Sequence, residues 1–89
     1  MIQIEPGYYI MKAKTKGKKY SIFTKENGKY KYLLSFGALG YEQFKDSTPE
    51  RLYKHLDHND NNRRRLYYLR HGRTNNKLSA KYWANKYLW

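Results

Sequence analysis

Two periods run along this chain and change over near residue 36. From Tyr8 to Phe36 the apolar positions come in short runs, "GYYIMKAK", "KYSIFT" and "YKYLLSF", separated by the Gly17 break "TKGKK" and the turn "KENGK". Short aromatic and β-branched runs bounded by Gly and Asn predict strands. Asn27-Gly28 tolerate the positive φ of a tight hairpin turn, so the second and third runs pair antiparallel. In the third run Tyr30, Tyr32, Leu34 and Phe36 alternate with Lys29, Lys31, Leu33 and Ser35, which predicts one aromatic face and one mostly polar face. The simplest assembly is a three-stranded antiparallel meander over residues 8–36.

After Phe36 the period lengthens. Gly37 and Gly40 bracket Ala38-Leu39 in "SFGALGY", a spacing for a tight turn out of the sheet or a close backbone contact. Ser47 or Thr48 as cap, Pro49 at the first helical position and Glu50 three residues after Ser47 predict a helix over 49–57, with Leu52, Tyr53 and Leu56 turned inward. "HNDNN" offers caps for a second helix over 60–71, which holds "RRRLYYLRH" and stops near Gly72. On that helix Arg63, Tyr67 and Arg70 share one side and Arg64, Tyr68 and His71 the adjoining one. Leu66 and Leu69, with the stem of Arg65, are expected to form a narrow apolar seam. After the polar loop "GRTNNK", Ser79 caps a third helix over 79–88, where Ala80, Trp83, Ala84, Tyr87 and Leu88 make the strongest amphipathic stripe in the chain. The expectation is α+β: one small domain spanning 1–89, with a β-meander in 1–36 and a helical part in 37–89.

Composition changes the picture in one direction. A chain of 89 residues buries proportionally little surface, so its stability should be marginal and lean on a partner. A formal charge of +12 attracts polyanions, and eleven tyrosines supply rings that suit both nucleic-acid surfaces and wet protein interfaces. The charge is unevenly placed. Met11 to Lys31 hold eight lysines against Glu26 alone, and Asn61 to Trp89 hold eight cations and no carboxylate. Apart from Glu5, the other acids (Glu42, Asp46, Glu50, Asp57 and Asp60) lie between these two basic lobes. Lysines on an outer strand would also discourage unwanted strand pairing. Cysteine is absent, which excludes disulfides and thiolate metal sites and fits a reducing compartment. The longest apolar runs, such as Tyr8 to Met11, are far too short to span a membrane, so a soluble chain made in the cytoplasm is expected.

Candidate chemistry is sparse. His55, Asp57, His58 and Asp60 fall within six residues, but further ligands at a recognised spacing are missing, and polar residues at a helix end explain them more simply. His71 has no serine or cysteine nucleophile patterned near it. "GYY" at Gly7 to Tyr9 followed by "KYSI" at Lys19 to Ile22 resembles the paired tyrosine strands of GIY-YIG nucleases. The closing glycine is missing, however, and another strand follows where the catalytic arginine's helix should stand. "GALG" matches the GxxG loop of one RNA-binding module only in its glycines, since that loop joins helices and is itself basic. No catalytic residue, metal, cofactor or small-molecule substrate is expected.

Three motifs in order carry a broader resemblance: "SFGALGYEQFKD", "RRRLYYLRH" and "KLSAKYWANKYLW". Over residues 29–89 the chain resembles a family of small basic proteins, without an assigned activity, encoded by large double-stranded DNA viruses of the giant-virus group. It departs from that family in the loop "GRTNNK" and at Lys81, where a glycine is usual. Membership implies a virion protein made in the host cytoplasm, and leaves two roles open. One is a minor capsid protein that fills or cements gaps between shell subunits; the other is a sequence-independent nucleic-acid-binding protein that packages the genome. Genome condensers usually carry their charge on flexible tails, whereas here it is mounted on patterned elements, which places the capsid role first. The residues expected to bind partners are Arg63, Arg64, Arg65, Tyr67, Tyr68, Arg70, His71 and Arg73, with Lys29 and Lys31 on the sheet. Gly28, Phe36, Gly37, Gly40, Tyr41, Trp83 and Leu88 are expected to hold the frame.

Overall fold

The computed structural model describes residues 1–89 and is α+β. Strands β1 (Ile2–Glu5), β2 (Tyr8–Lys12), β3 (Lys18–Glu26) and β4 (Lys29–Ala38) form one antiparallel sheet in chain order. The sheet therefore has four strands, not the three expected. The added strand, β1, turns into β2 at Pro6-Gly7 and is short, so its Ile2-Gln3-Ile4-Glu5 alternation is a weak signal by itself. What fixes it is distant: the carboxylate of Glu5 accepts from Lys77 Nζ at 2.8 Å, Lys86 Nζ at 2.6 Å and the Tyr82 hydroxyl at 3.0 Å. Burial by itself would push the pKa of the Glu5 carboxyl up, but those three donors outweigh it and hold the group below its ordinary value.

Asn27 (φ 48°) and Gly28 (φ 76°) turn β3 into β4, both in the left-handed region that a two-residue hairpin demands. The two strands then lose register. Ile22 pairs with Leu34 but Phe23 with Tyr32, so Leu33 is an extra residue, a β-bulge. Because side chains alternate with period two, one inserted residue sends everything beyond it to the other face. The single aromatic face expected for β4 is thus split. Leu34 and Phe36 join Tyr20, Ile22 and Ile10 on the packed face, while Tyr30 and Tyr32 join Tyr9 and Phe23 on the opposite one.

Helices α1 (Asn61–His71) and α2 (Ala80–Tyr87) follow. Asp60 caps α1 by accepting from the backbone N–H groups of Asn62 and Arg63, and the Ser79 hydroxyl caps α2 through Lys81 N–H. Trp83 of α2 is fully buried against the sheet, with its indole N–H donated to the Lys77 carbonyl at 2.8 Å. The helix expected over 49–57 does not form; only a single 3₁₀ turn, Lys54–Leu56, appears there. The Thr48 hydroxyl does accept from Arg51 N–H at 3.1 Å, as a helix cap would. Arg51 itself, however, takes φ 49°, which ends any right-handed helix. Leu52, expected inward, is exposed, while Tyr53 reaches the core.

The reason for that departure is a buried polar knot. Asp46 is 1 % exposed, and its carboxylate accepts from the Tyr20 hydroxyl (2.6 Å), Tyr53 N–H (3.0 Å), Thr48 N–H (3.0 Å) and the Thr48 hydroxyl (2.6 Å). Tyr20 in turn accepts from Leu52 N–H at 2.9 Å; burial, then the Asp46 bond, push its phenol far above the ordinary value. Asp57 joins the same system, accepting from Gln43 Nε2 and from Asp46 N–H, each at 2.7 Å. Gln43 accepts from the ammonium of Lys19 and donates to the Tyr53 carbonyl at 2.8 Å. Lys19, one more lysine of a basic strand by sequence, is 1 % exposed and also donates to the Tyr41 carbonyl at 2.6 Å. Burial lowers its basicity, and the nearby Asp46 and Asp57 charges oppose that shift. The network claims the backbone of 43–57 in a form no helix satisfies.

Only seven hydrophobic side chains are buried, so this knot carries an unusual share of the fold. Asp46→Asn keeps the size but aims an amide N–H₂ at groups that donate. A buried network broken on one side costs about 3 kcal/mol or more, equivalent to a fall of about 12–24 degrees in Tm for a domain this small. Calorimetry of the variant should show that loss, and Tyr20→Phe a smaller one.

Candidate partner-binding cleft

The segment held by the knot runs beside the chain's end. Lys45 N–H donates to the Leu88 carbonyl (3.1 Å) and Ser47 N–H to the Tyr87 carbonyl (2.8 Å), so residues 43–47 lie against the last turn of α2. The end of β4 touches the same turn. A Cβ added at Gly37 would sit 2.9 Å from Leu88 Cδ1 and 3.1 Å from Lys19 Cβ, and the residue has φ 80°. Gly37 is thus required both for conformation and for room. Gly40 shares the positive φ (87°) but faces open space.

Helix α1 packs on this frame with its tyrosines, not its leucines. Tyr67 stacks on Trp89 with ring centroids 4.3 Å apart and planes 3° from parallel, and donates its hydroxyl to Asn85 Oδ1 at 2.8 Å. Burial, with a smaller contribution from Tyr68, pushes the Tyr67 phenol up to about 12. Tyr68 donates to the Asn85 carbonyl at 3.1 Å, and Asn85 Nδ2 closes the clamp on the Gly72 carbonyl at 3.1 Å. Arg64 lies inside too, donating Nε to the Trp89 carbonyl at 2.5 Å and resting its guanidinium over the Phe44 and Tyr68 rings.

The apolar seam expected inward is therefore reversed. Leu66 and Leu69 point to solvent, Leu69 at 72 % exposure. The physical reason is that two tyrosines offer both ring area and hydroxyls that can satisfy Asn85 and the α2 backbone, whereas leucine offers area alone. Leu66, Leu69 and Trp89 floor a shallow groove flanked by Arg63 and Arg70. On its other side lies an open cleft of about 630 Å³, lined by Gly37, Gly40 and Tyr41, by Arg63, Tyr67, Arg70 and His71, and by Leu88 and Trp89. The three motifs, far apart along the chain, meet there.

The cations of α1 differ sharply in what occupies them. Arg63 pairs with Glu42 at 2.9 Å, Arg65 donates to Asn62, and Arg73 covers the Tyr68 ring at 4.0 Å. Arg65, Arg70 and Arg73 have no carboxylate partner within the chain. His71 rests on the Tyr67 ring, centroids 4.6 Å apart. Tyr41, expected to hold the frame, is 72 % exposed; its carbonyl, not its ring, is the structural part. Lys29 and Lys31 sit apart from the α1 arginines, at the hairpin end of β4. Six residues of strand place Lys31 about 20 Å from Gly37, and Lys31 faces Glu26 at 3.9 Å.

The other motif residues disperse. Tyr20 has its hydroxyl in the buried knot while Tyr8 packs its ring on Trp83 at 5.1 Å, so the nuclease-like pair does not present two hydroxyls to one site. Asp57 and Asp60 accept backbone N–H groups, and no group of three or more His, Asp or Glu side chains converges to hold a metal ion. No helix is long and apolar enough to cross a membrane. No protein-family model, curated protein or solved structure matches this chain.

His58 supports the cleft from below. Its ring lies 5.3 Å from Trp89 and 6.2 Å from Phe44, Nδ1 accepts from Asp60 N–H, and Nε2 is buried without a partner. Burial first, then the Arg63 charge, lower its basicity. The folded chain thus binds this proton less readily than the unfolded one. Stability is full above the unfolded value of about 6.5 and declines as pH falls below it toward the depressed folded value. Thermal melts across that window should show the decline, and His58→Phe should flatten it. Gly37→Ala, by contrast, should cost about 2–4 kcal/mol at any pH, from backbone strain and the Leu88 clash.

Proposed function

We propose that this protein is a non-enzymatic structural component of a large DNA virus particle, a minor capsid protein that docks on neighbouring shell proteins through α1 and the cleft beside it. The observation that carries the docking reading is the exposed pair Leu66 and Leu69, set beside Trp89 and Arg70, with Arg65, Arg70 and Arg73 of the same segment lacking a carboxylate partner. Apolar side chains and free guanidinium groups together fit a protein segment that brings both apolar side chains and Asp or Glu. Phosphates would satisfy the arginines and leave the leucines in water. The virion assignment rests on the resemblance of the three motifs, and their meeting at one cleft supports reading them as parts of one site. Such a partner would also supply burial that the small core lacks.

Gentle disruption of purified particles should release the protein with shell fragments. Leu69→Glu, a change at an exposed position, should leave the melting temperature within a degree or two and lower incorporation about tenfold or more, the scale of an interface anchor. Recovery only with the DNA core, or normal incorporation of the variant, would reject the capsid reading.

A further inference from the structure

The face of the sheet turned away from α2 has no helix over it. Tyr9 of β2, Phe23 of β3, and Tyr30 and Tyr32 of β4 share that face across three strands. Their aromatic partners are one another: Tyr9 meets Tyr30 edge-on at 5.1 Å, and Phe23 meets Tyr32 at 5.7 Å. Tyr30 and Tyr32 remain 46 % and 51 % exposed. The Tyr32 ring is also pinned. The Tyr32 hydroxyl meets Ser35 Oγ at 2.9 Å, and Ser35 continues to Ser21 (2.7 Å) and Thr15 (3.0 Å).

Charge surrounds this strip on one sign only. Lys12, Lys14, Lys16 and Lys18 follow the β2–β3 connection, all exposed, and Lys25 holds its ammonium 5.4 Å from the Tyr30 ring centre. The one carboxylate between residues 11 and 31, Glu26, already faces Lys31. Beside Tyr32 a hollow of about 340 Å³ has Phe23, Met11 and the Tyr32 ring on its apolar side, Lys12 and Lys14 on its rim, and the Thr15 and Ser21 hydroxyls within it. A flat apolar platform, hydroxyls and a lysine margin match one polyanion in particular, a chain of phosphates bearing flat bases that are free to leave their own stack.

We infer that this open face binds single-stranded nucleic acid without strong sequence preference, with bases resting on Tyr30, Tyr32 and Phe23 and the phosphates following Lys12, Lys14 and their neighbours. A duplex is the poorer ligand, since its base faces are closed to rings that lie flat on a sheet. The hollow beside Tyr32 shares no lining residue with the α1 cleft.

Fluorescence anisotropy with a labelled oligothymidylate of about 12 nucleotides, against a duplex of equal length, tests this across about 50 to 200 mM salt. The single strand should bind more tightly, and log K should fall with log salt at a slope near −0.7 for each lysine-phosphate contact. Tyr30→Ala and Tyr32→Ala should each weaken binding by about fivefold or more, and Tyr32→Phe, which keeps the ring, should restore it. Both positions are exposed, and circular dichroism melts of each variant verify that the fold is intact. Leu69→Glu on α1 should leave the affinity unchanged. Equal affinity for duplex and single strand, wild-type binding by the tyrosine variants, or tighter capture of phosphatidylserine vesicles than of the oligonucleotide would overturn the inference.

Discussion

A single buried carboxylate organises this molecule. Asp46 has almost no access to water and is compensated by four donors, two from Thr48 and one each from Tyr20 and Tyr53. An uncompensated charge in that position would be prohibitive, so the chain from Gln43 to Asp57 adopts whatever path delivers those donors. That path fixes where the 3₁₀ turn lies and which strand residue, Tyr20, reaches across from the sheet. It also explains a buried lysine. The ammonium of Lys19 lies at the other side of the same system, with Gln43 and the Tyr41 carbonyl as acceptors and the Asp46 and Asp57 charges within electrostatic reach.

The placement of the acids acquires a structural meaning. Asp46 and Asp57 are consumed by the knot, Asp60 by the cap of α1, Glu42 by Arg63, and Glu5 by two lysines and a tyrosine of the last helical segment. The few carboxylates available thus hold the interior and the helix ends, and the cations on the surface keep almost none. That division leaves two candidate binding surfaces of different character. On α1, guanidinium groups stand beside leucines and an indole; on the open sheet, ammonium groups stand beside phenol rings. The first suits carboxylates and apolar side chains, the second phosphates and bases.

How far the chain could be read without coordinates depends on the range of the cause. The Asn27-Gly28 turn, the Asp60 and Ser79 caps and the Trp83 stripe each depend on residues within a few positions of one another, and the α+β order followed from them. The bulge at Leu33 does not: alternation in β4 alone implies one aromatic face, and only pairing against β3 shows that Ile22 and Phe23 are matched across three residues. Thr48, Pro49 and Glu50 read as a helix start, and the Thr48 cap bond from Arg51 N–H does form, yet Arg51 turns left-handed and Tyr53 N–H goes to Asp46, whose partner Tyr20 is twenty-six positions away. On α1 the two leucines looked like the inward seam because hydrophobicity alone ranks them above tyrosine. Asn85 and Trp89 reverse that order by rewarding hydroxyls and flat rings.

The sequence by itself determined the strands around the hairpin, the two capped helices, the basic character of both ends and the residues from which an adhesive surface could be drawn. Local sterics, capping bonds and charge counting suffice for those. Only the tertiary structure decided which side of α1 faces outward, which lysine is buried, and which tyrosines of β4 lie on the open face. Each of those depends on a polar or packing partner that is distant in sequence, and a buried polar group must be satisfied by whichever partner the fold brings near, whatever the local pattern prefers.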